Sequence, residues 1–328
     1  MGSISVVKLT SCWLMERPPR MRETEAKIDR QDWSLLVLLS VLWGGSFFFV
    51  GVAVKEMTPL TIVLARVTFA AALLVPVMWA YGAKLPSSLN RWMPFFFMGL
   101  FNNVIPFALI VIAQTQITSG LASVLNATTP LFTVLVMAAF GDEALIGRRV
   151  VGVVLGLIGV VILRGRGADF SGGQTLGIVL CLGAALSYGF AGLWGRRKLS
   201  GVPPLTSATC QLLCSSLVMV VLAGAIEWPW GLPMPSVATW VSLLGLAALS
   251  TALAYVVCFQ ILVRSGATTV MLVTLLIPVS AILLGHFVLA EPLKGREILG
   301  ALVIGSALLI IDGRVLGLFK RRFENRHY

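Results

Sequence analysis

The sequence predicts an all-α polytopic membrane protein: ten transmembrane helices, built as two inverted five-helix repeats, with the N and C termini cytoplasmic. Three observations carry that prediction. The 328 residues are 58% hydrophobic and 12% charged, against about 25% charged in soluble chains, and mean hydropathy is +0.93. The apolar residues fall into ten runs of the length that a hydrocarbon core about 30 Å thick demands. Residue pairs also recur between the two halves of the chain in unbroken order. Such a composition excludes a disordered chain, a disulfide-stapled secreted domain and an ordinary soluble enzyme.

Taken in order, residues 1–32 are polar with charges of both signs. They hold no apolar stretch followed by a small-residue cleavage site, so a cytoplasmic tail is expected and not a cleavable leader. Apolar segments follow at about 33–54, 60–80, 92–114, 120–140, 150–163, 176–195, 205–226, 237–262, 268–289 and 298–311. They are too long for barrel strands and lack period-two alternation. Helices, which satisfy their backbone within one segment, are what such runs form in lipid. The fifth and tenth are the shortest. A basic cytoplasmic tail, 314–328, ends the chain.

Orientation follows from the basic residues. With the N-terminus inside, 19 of the 25 Lys and Arg fall in inside segments and 5 outside, while Arg66 lies within a helix. That bias places both termini in the cytoplasm. The net charge of +11 is therefore an orientation signal, and no nucleic acid is expected as a partner. The five cysteines include no CxxC pair, and Cys210 and Cys214 have no His or acidic residue near them. They read as small buried side chains, and neither a metal nor a cofactor is expected.

The repeat is the most informative pattern. Gly45 matches Gly189 and Pro59 matches Pro203 at an offset of 144. Gln114 matches Gln260, and Ser119-Gly120 matches Ser265-Gly266, at 146. Pro130 with Pro278, Glu143 with Glu291, and Gly147-Arg148 with Gly295-Arg296 follow at 148. The repeats are predicted to span 33–165 and 174–313. Five helices is an odd number, so the second copy must enter the membrane from the opposite side. This is the plan of secondary transporters, whose site lies near the midplane between the halves.

Several stretches carry a family resemblance: Trp43-Gly44-Gly45-Ser46-Phe47, the run around Arg66, Ser119-Gly120-Leu121-Ala122-Ser123 leading to Pro130-Leu131-Phe132, and Glu143 with its repeat Glu291. On these the chain resembles the drug/metabolite transporter superfamily, in its ten-helix EamA-type branch, over nearly all of 33–313. Within the branch it is most similar to bacterial exporters of amino acids, including aromatic ones. The resemblance implies a secondary transporter of the bacterial cytoplasmic (inner) membrane. It would export or facilitate the movement of small organic metabolites, amino acids foremost, by alternating access. Efflux of lipophilic cations is the alternative, and a non-transporting scaffold or receptor is the reading from a different class. No paired Asp, Ser–His pair or HExxH pattern lies in the spans, so an enzyme is not expected.

Seven residues are candidates for a solute cavity: Trp43, Asn102, Asn103, Tyr188, Thr251, Tyr255 and His286. Polar groups inside a membrane are expensive and mark function. Asn102 and Asn103 precede Pro106, so they either satisfy the carbonyl that proline frees or face a cavity. The 146-residue offset takes Asn102, Ile105 and Leu109 to Ala248, Thr251 and Tyr255, a matching stripe in the eighth helix. Trp43 and Tyr188 lie too deep to be interfacial anchors, whereas Trp194 is placed as one. His286 either takes up a proton or is simply hydrogen-bonded. Gln114, Asn126 and Gln260 lie nearer helix ends, where water or other helices satisfy them.

Arg66 either attracts a substrate carboxylate or snorkels to the interface, and a structural role is the favoured reading. Glu143 and Glu291, five residues before Arg148 and Arg296, read as loop ion pairs. Gly152 and Gly156 form a GxxxG pattern suited to packing within the chain or to a dimer, and the oligomeric state is left open. No Asp or Glu lies in mid-span. The four-helix relatives' proton exchange at a membrane glutamate therefore does not carry over, and a neutral or zwitterionic solute fits best.

Overall fold

The computed structural model describes residues 29–165 and 173–312. Most of the tails expected in the cytoplasm lies outside the described residues, as does the stretch 166–172. The described chain is helical throughout its long elements. They are α1 (Arg30–Ala53), α2 (Pro59–Ala80), α3 (Leu89–Gln114), α4 (Ser119–Ala139), α5 (Gly147–Arg164), α6 (Gly173–Lys198), α7 (Pro204–Ile226), α8 (Val237–Ser265), α9 (Thr269–Leu289) and α10 (Gly295–Asp312).

Helix starts follow local chemistry. Asp29 and Asp32 form a capping box at α1, Pro59 and Pro204 open α2 and α7, and the Ser236 hydroxyl caps α8. Each satisfies or removes one of the orphan donors of a first turn. Eight of these helices are long and apolar enough to cross a membrane. The other two, α5 and α10, have 18 residues each, about 27 Å at 1.5 Å per residue. Arg148, Arg149 and Arg164 in one, and Arg296, Glu297 and Asp312 in the other, charge their ends. Large apolar side chains such as Val161, Leu217 and Val221 point outward, as they do where lipid is the solvent.

The main helix pairs are α1 with α9, α4 with α6, α2 with α7, α5 with α10, α1 with α8, and α3 with α6. Small residues permit the closest approaches. A Cβ on Gly44 of α1 would lie 2.7 Å from Ser280 Cβ of α9, and one on Gly99 of α3 would lie 2.7 Å from the Gln211 carbonyl oxygen of α7. The GxxxG glycines serve contacts inside the chain: Gly152 meets α10 at Ile311, and Gly156 meets Leu131 of α4.

The connections are tied by carboxylates, and not as spacing suggests. Glu143 does not pair with Arg148; its two oxygens take Arg149 Nη1 and Arg196 Nη1, each at 2.9 Å. Nor does Glu291 pair with Arg296. Glu291 accepts from Ser119 N at 3.0 Å and Gly120 N at 3.4 Å, at the start of α4, while Arg296 reaches the Arg164 carbonyl and Gln174. Helix N-termini attract carboxylates more strongly than a solvated arginine five residues away does. Glu227 does the same for α2, accepting from Leu60 N and Thr61 N. Glu56 reaches the start of α8, and the Ser236 N–H, the Thr239 hydroxyl and the Ser236 hydroxyl hold its carboxyl below the ordinary value. Asp142 is likewise lowered, by its hydrogen bond with Arg197 and then by that residue's charge.

These contacts define two ends of the bundle. A near end carries the start of α1 with the end of α8 (Asp32 to Arg264, 3.1 Å) and the ends of α4 and α6. A far end carries the starts of α2, α4 and α8.

The α5–α10 contact yields a stability test. A Cβ on Gly159 would lie 2.7 Å from Ile304 Cγ1 and 3.2 Å from the Gly300 carbonyl oxygen, whereas one on Gly147 meets nothing within 4 Å. Thermal unfolding in detergent should show Gly159→Ala destabilised by about 1–3 kcal/mol, with Gly147→Ala unchanged or slightly stabilised.

Candidate functional site

A cavity of about 390 Å³ opens within the bundle between α1, α2, α3, α4, α6, α8 and α9. That is enough for a small organic solute, since ligand pockets run from about 300 to 1,000 Å³. Five of the seven predicted residues line it: Trp43, Asn102, Tyr188, Thr251 and Tyr255. At the near end its wall includes Met271, which is 51% exposed, and Gly192, which is also exposed. Towards the far end the wall reaches Phe47 and Ile110, both buried. Beyond them Gln114 Nε2 donates to the Phe47 carbonyl at 2.9 Å and to Ser119 Oγ at 3.1 Å. The cavity is open at one end and sealed at the other.

Two breaks in helix regularity shape it. α3 widens into a π turn at Leu100–Val104, and α8 does so at Ala248–Leu253. A π turn lengthens the hydrogen-bond loop and frees backbone from the regular ladder, which is why such turns recur at functional sites. Asn102 and Thr251 sit on these two turns. Asn102 Nδ2 donates to Gln211 Oε1 at 3.0 Å and to Tyr255 Oη at 3.1 Å. The Tyr255 hydroxyl donates to Asn103 Oδ1 at 3.2 Å, and Asn103 Nδ2 donates to Ser215 Oγ at 3.1 Å. The Tyr255 ring stacks on Phe259, with centroids 5.9 Å apart and planes 11° from parallel.

Asn103 and His286 do not reach the cavity. Asn103 is fully buried behind the lining, where it anchors Tyr255 to α7. The π turn does not bring two consecutive side chains to one face. His286 is exposed, its Nδ1 3.0 Å from the Glu291 carbonyl oxygen and its ring edge-on to Phe287. Trp194, expected as an interfacial anchor, instead donates to the Pro94 carbonyl oxygen at 2.9 Å and packs on Phe97, fastening α6 to α3.

Arg66 is the principal correction. It lines the cavity at 7% exposure and does not snorkel. Its Nε donates to Thr251 Oγ1 at 3.0 Å, and the guanidinium carbon lies 3.6 Å from the centroid of the Phe107 ring. Among the described residues no carboxylate forms a salt bridge with it, and its two Nη groups have no hydrogen-bond partner. Two more polar groups on the lining are unsatisfied, Asn126 Oδ1 and Ser250 Oγ. Buried polar groups without partners are rare and call for an explanation. The sequence held one signal for Arg66: with no Asp or Glu in mid-span, a buried arginine there has nothing of its own to pair with. Gln211 and Ser215, which tie the network to α7, left no such signal.

Three comparisons bear on this geometry. The pattern of the EamA-like transporter family matches residues 33–165 and 175–312. The chain is 27% identical over 303 residues to a protein of Escherichia coli (strain K12) named "Probable amino-acid metabolite efflux pump", covering 90% of this chain and 98% of that one. It is 28% identical over 283 residues to the uncharacterized inner membrane transporter YedA of the same strain, covering 84% and 89%. Protein PecM of Dickeya dadantii is 26% identical over 286 residues, covering 86% and 91%. A solved crystal structure of a protein 19% identical to this chain superposes with a TM-score of 0.62 over 90% of this chain and all of that one, a likeness of fold.

A stability measurement separates the two roles open to Arg66. An unpaired buried charge does not strengthen a fold, and an apolar replacement of similar size is often neutral or stabilising. Arg66→Met should therefore leave the unfolding temperature in detergent unchanged or raised, with any loss of the Thr251 bond within about 1 kcal/mol. A fall of several degrees would make Arg66 a structural residue.

Proposed function

The chain belongs to the EamA-like transporter family, and from that premise we propose that it exports amino acids, large neutral and aromatic ones in particular, across the bacterial cytoplasmic membrane by alternating access. As a family member it is a multi-pass membrane transporter. The solute class is carried by one observation: Arg66, buried in the cavity, presents free Nη donors with no anion beside them. A solute carboxylate is the partner that such a guanidinium selects, through paired charge-assisted hydrogen bonds. Trp43, Phe107, Tyr188 and Phe259 supply the apolar wall for a side chain.

The alternative, efflux of lipophilic cations, fits less well. A fixed cation lines the cavity, and no Asp or Glu is among the lining residues.

In this reading all ten helices cross the membrane, 33–165 and 174–313 are inverted repeats, and both termini are cytoplasmic. The packing supports the repeat. Exchanging the halves converts the α1–α9 contact into α6–α4 and the α1–α8 contact into α6–α3, and leaves α2–α7 and α5–α10 paired with themselves. The short α5 and α10 then form one charged-ended pair at the edge of the bundle. Because most basic residues lie at the near end, that end faces the cytoplasm and the cavity is open inward.

Counterflow in proteoliposomes tests the function. Labelled phenylalanine should exchange against unlabelled amino acids, and Arg66→Gln should raise KM about 10- to 100-fold, as the loss of a charged hydrogen bond does. Exchange of none of the twenty amino acids, together with flux of a lipophilic cation, would transfer the assignment to the alternative.

A further inference from the structure

We propose that Glu143 and Glu291 are a matched pair of gate residues. Glu291 seals the far end of the path in this structure by capping α4. Glu143 seals the near end in the opposite state by capping the start of α9. The proposal rests on the reading as an alternating-access carrier and is independent of which solute is carried.

The two glutamates occupy the same place in the repeat, 148 residues apart, and at that offset the helix start at Ser119, behind the N-cap Thr118, corresponds to the helix start at Ala267, behind the N-cap Gly266. In the structure they are in different states. Both Glu291 oxygens hold the first backbone N–H groups of α4, those of Ser119 and Gly120. Both Glu143 oxygens are instead taken by Arg149 and Arg196, whose side chains are 23% and 53% exposed. Exposed pairs of this kind contribute little and release readily, whereas a carboxylate on a helix N-terminus gains both a cap and the helix dipole.

The space around each end tells the same story. At the far end, a Cβ on Gly51 would lie 2.6 Å from Ser119 Oγ and 2.9 Å from Leu289 Cδ1, and one on Gly120 would lie 3.1 Å from Ile282 Cγ1. The counterpart of Gly51 at the near end is roomy: Gly195 would meet Met98 at 3.7 Å. Ser123 is fully buried, and its counterpart at an offset of 148, Met271, is 51% exposed. Gln114 is buried in the far seal, while Gln260 is exposed. One set of groups, present twice, is closed at one end and open at the other. Exchanging the two arrangements turns an inward-open carrier into an outward-open one, with Glu143 leaving Arg149 and Arg196 for the backbone N–H groups of residues 267 and 268. Two arrangements of one packing, biased by a local contact, are what a bistable carrier requires.

Labelling of single cysteines tests the exchange in the full-length chain with its five native cysteines replaced. The reporters are Ser123→Cys at the far end and Met271→Cys at the near end, read with a membrane-impermeant maleimide added from either side. In the parent, Met271→Cys should react and Ser123→Cys should be protected. Loss of one helix cap shifts a two-state equilibrium by about fivefold. Glu291→Ala should therefore raise labelling at the far reporter by up to that factor, and lower it at the near one only by the smaller fraction that the same shift removes from the majority state. Adding Glu143→Ala should return the far reporter to its parental rate, because the outward-open state then lacks its own cap. If Glu291→Ala does not fold, Glu291→Gln, which keeps one acceptor, should shift both reporters in the same directions by a smaller factor. A far reporter that stays protected in Glu291→Ala would overturn the proposal, as would a far reporter whose gain is not reversed by adding Glu143→Ala. Failure to detect amino-acid flux in a chain with reciprocal labelling would reject the solute and leave the gates standing.

Discussion

An arginine placed inside an apolar bundle without an anion beside it is the constraint around which the described structure is organised. Removing a guanidinium from water is expensive, several kcal/mol after relaxation. The protein offsets part of that with the Thr251 hydroxyl and the Phe107 ring and leaves the remaining donors uncovered. A cavity open at one end keeps those donors within reach of water. The same opening gives a solute its route to them. The polar residues nearby are placed so as not to quench the charge: Asn102, Asn103, Gln211, Ser215 and Tyr255 bond chiefly to one another. Their amides and hydroxyls satisfy one another and leave the Arg66 Nη groups without a partner among the described residues.

Helix identity was legible in the sequence because lipid dictates it: a run of about 20 apolar residues has one way to satisfy its backbone. The ends of α5 and α10 were less legible, since charged residues extend those helices past the apolar run on each side. The stripe of Asn102, Thr251 and Tyr255 could be read by aligning the halves, because residues three or four apart share a helix face. Asn103 was misplaced because adjacent residues do not share one. For Arg66 the sequence leaves carboxylate attraction and snorkelling both open and favours a structural role, because only packing decides the direction of a long side chain. Glu143 takes Arg149, next to the expected arginine, and Arg196 53 positions away, while Glu291 takes backbone N–H groups 172 and 171 positions away. Spacing along the chain therefore pointed to the wrong arginines.

The repeat gives these local facts a common logic. The contacts that hold the bundle run mainly between the two halves of the chain, α1 on α9 and α4 on α6 among them. Small residues at those contacts let helices approach closely without locking them through large interdigitating side chains. Charged groups are confined mainly to the ends, where water screens them and exchange of partners is inexpensive. The middle is fixed and polar on one face, the ends are alike and changeable, and this division suits a carrier in which the solute stays while its surroundings move.

The most direct measurement is the thermal stability of the purified protein with two ligands that differ at one group, phenylalanine and phenylalaninamide. A ligand that binds the folded state raises its unfolding temperature with concentration. If Arg66 anchors a carboxylate, phenylalanine stabilises the native chain and the amide does not, and Arg66→Met abolishes the difference. Equal stabilisation by acid and amide, or a difference that survives in Arg66→Met, would contradict a carboxylate anchor at Arg66.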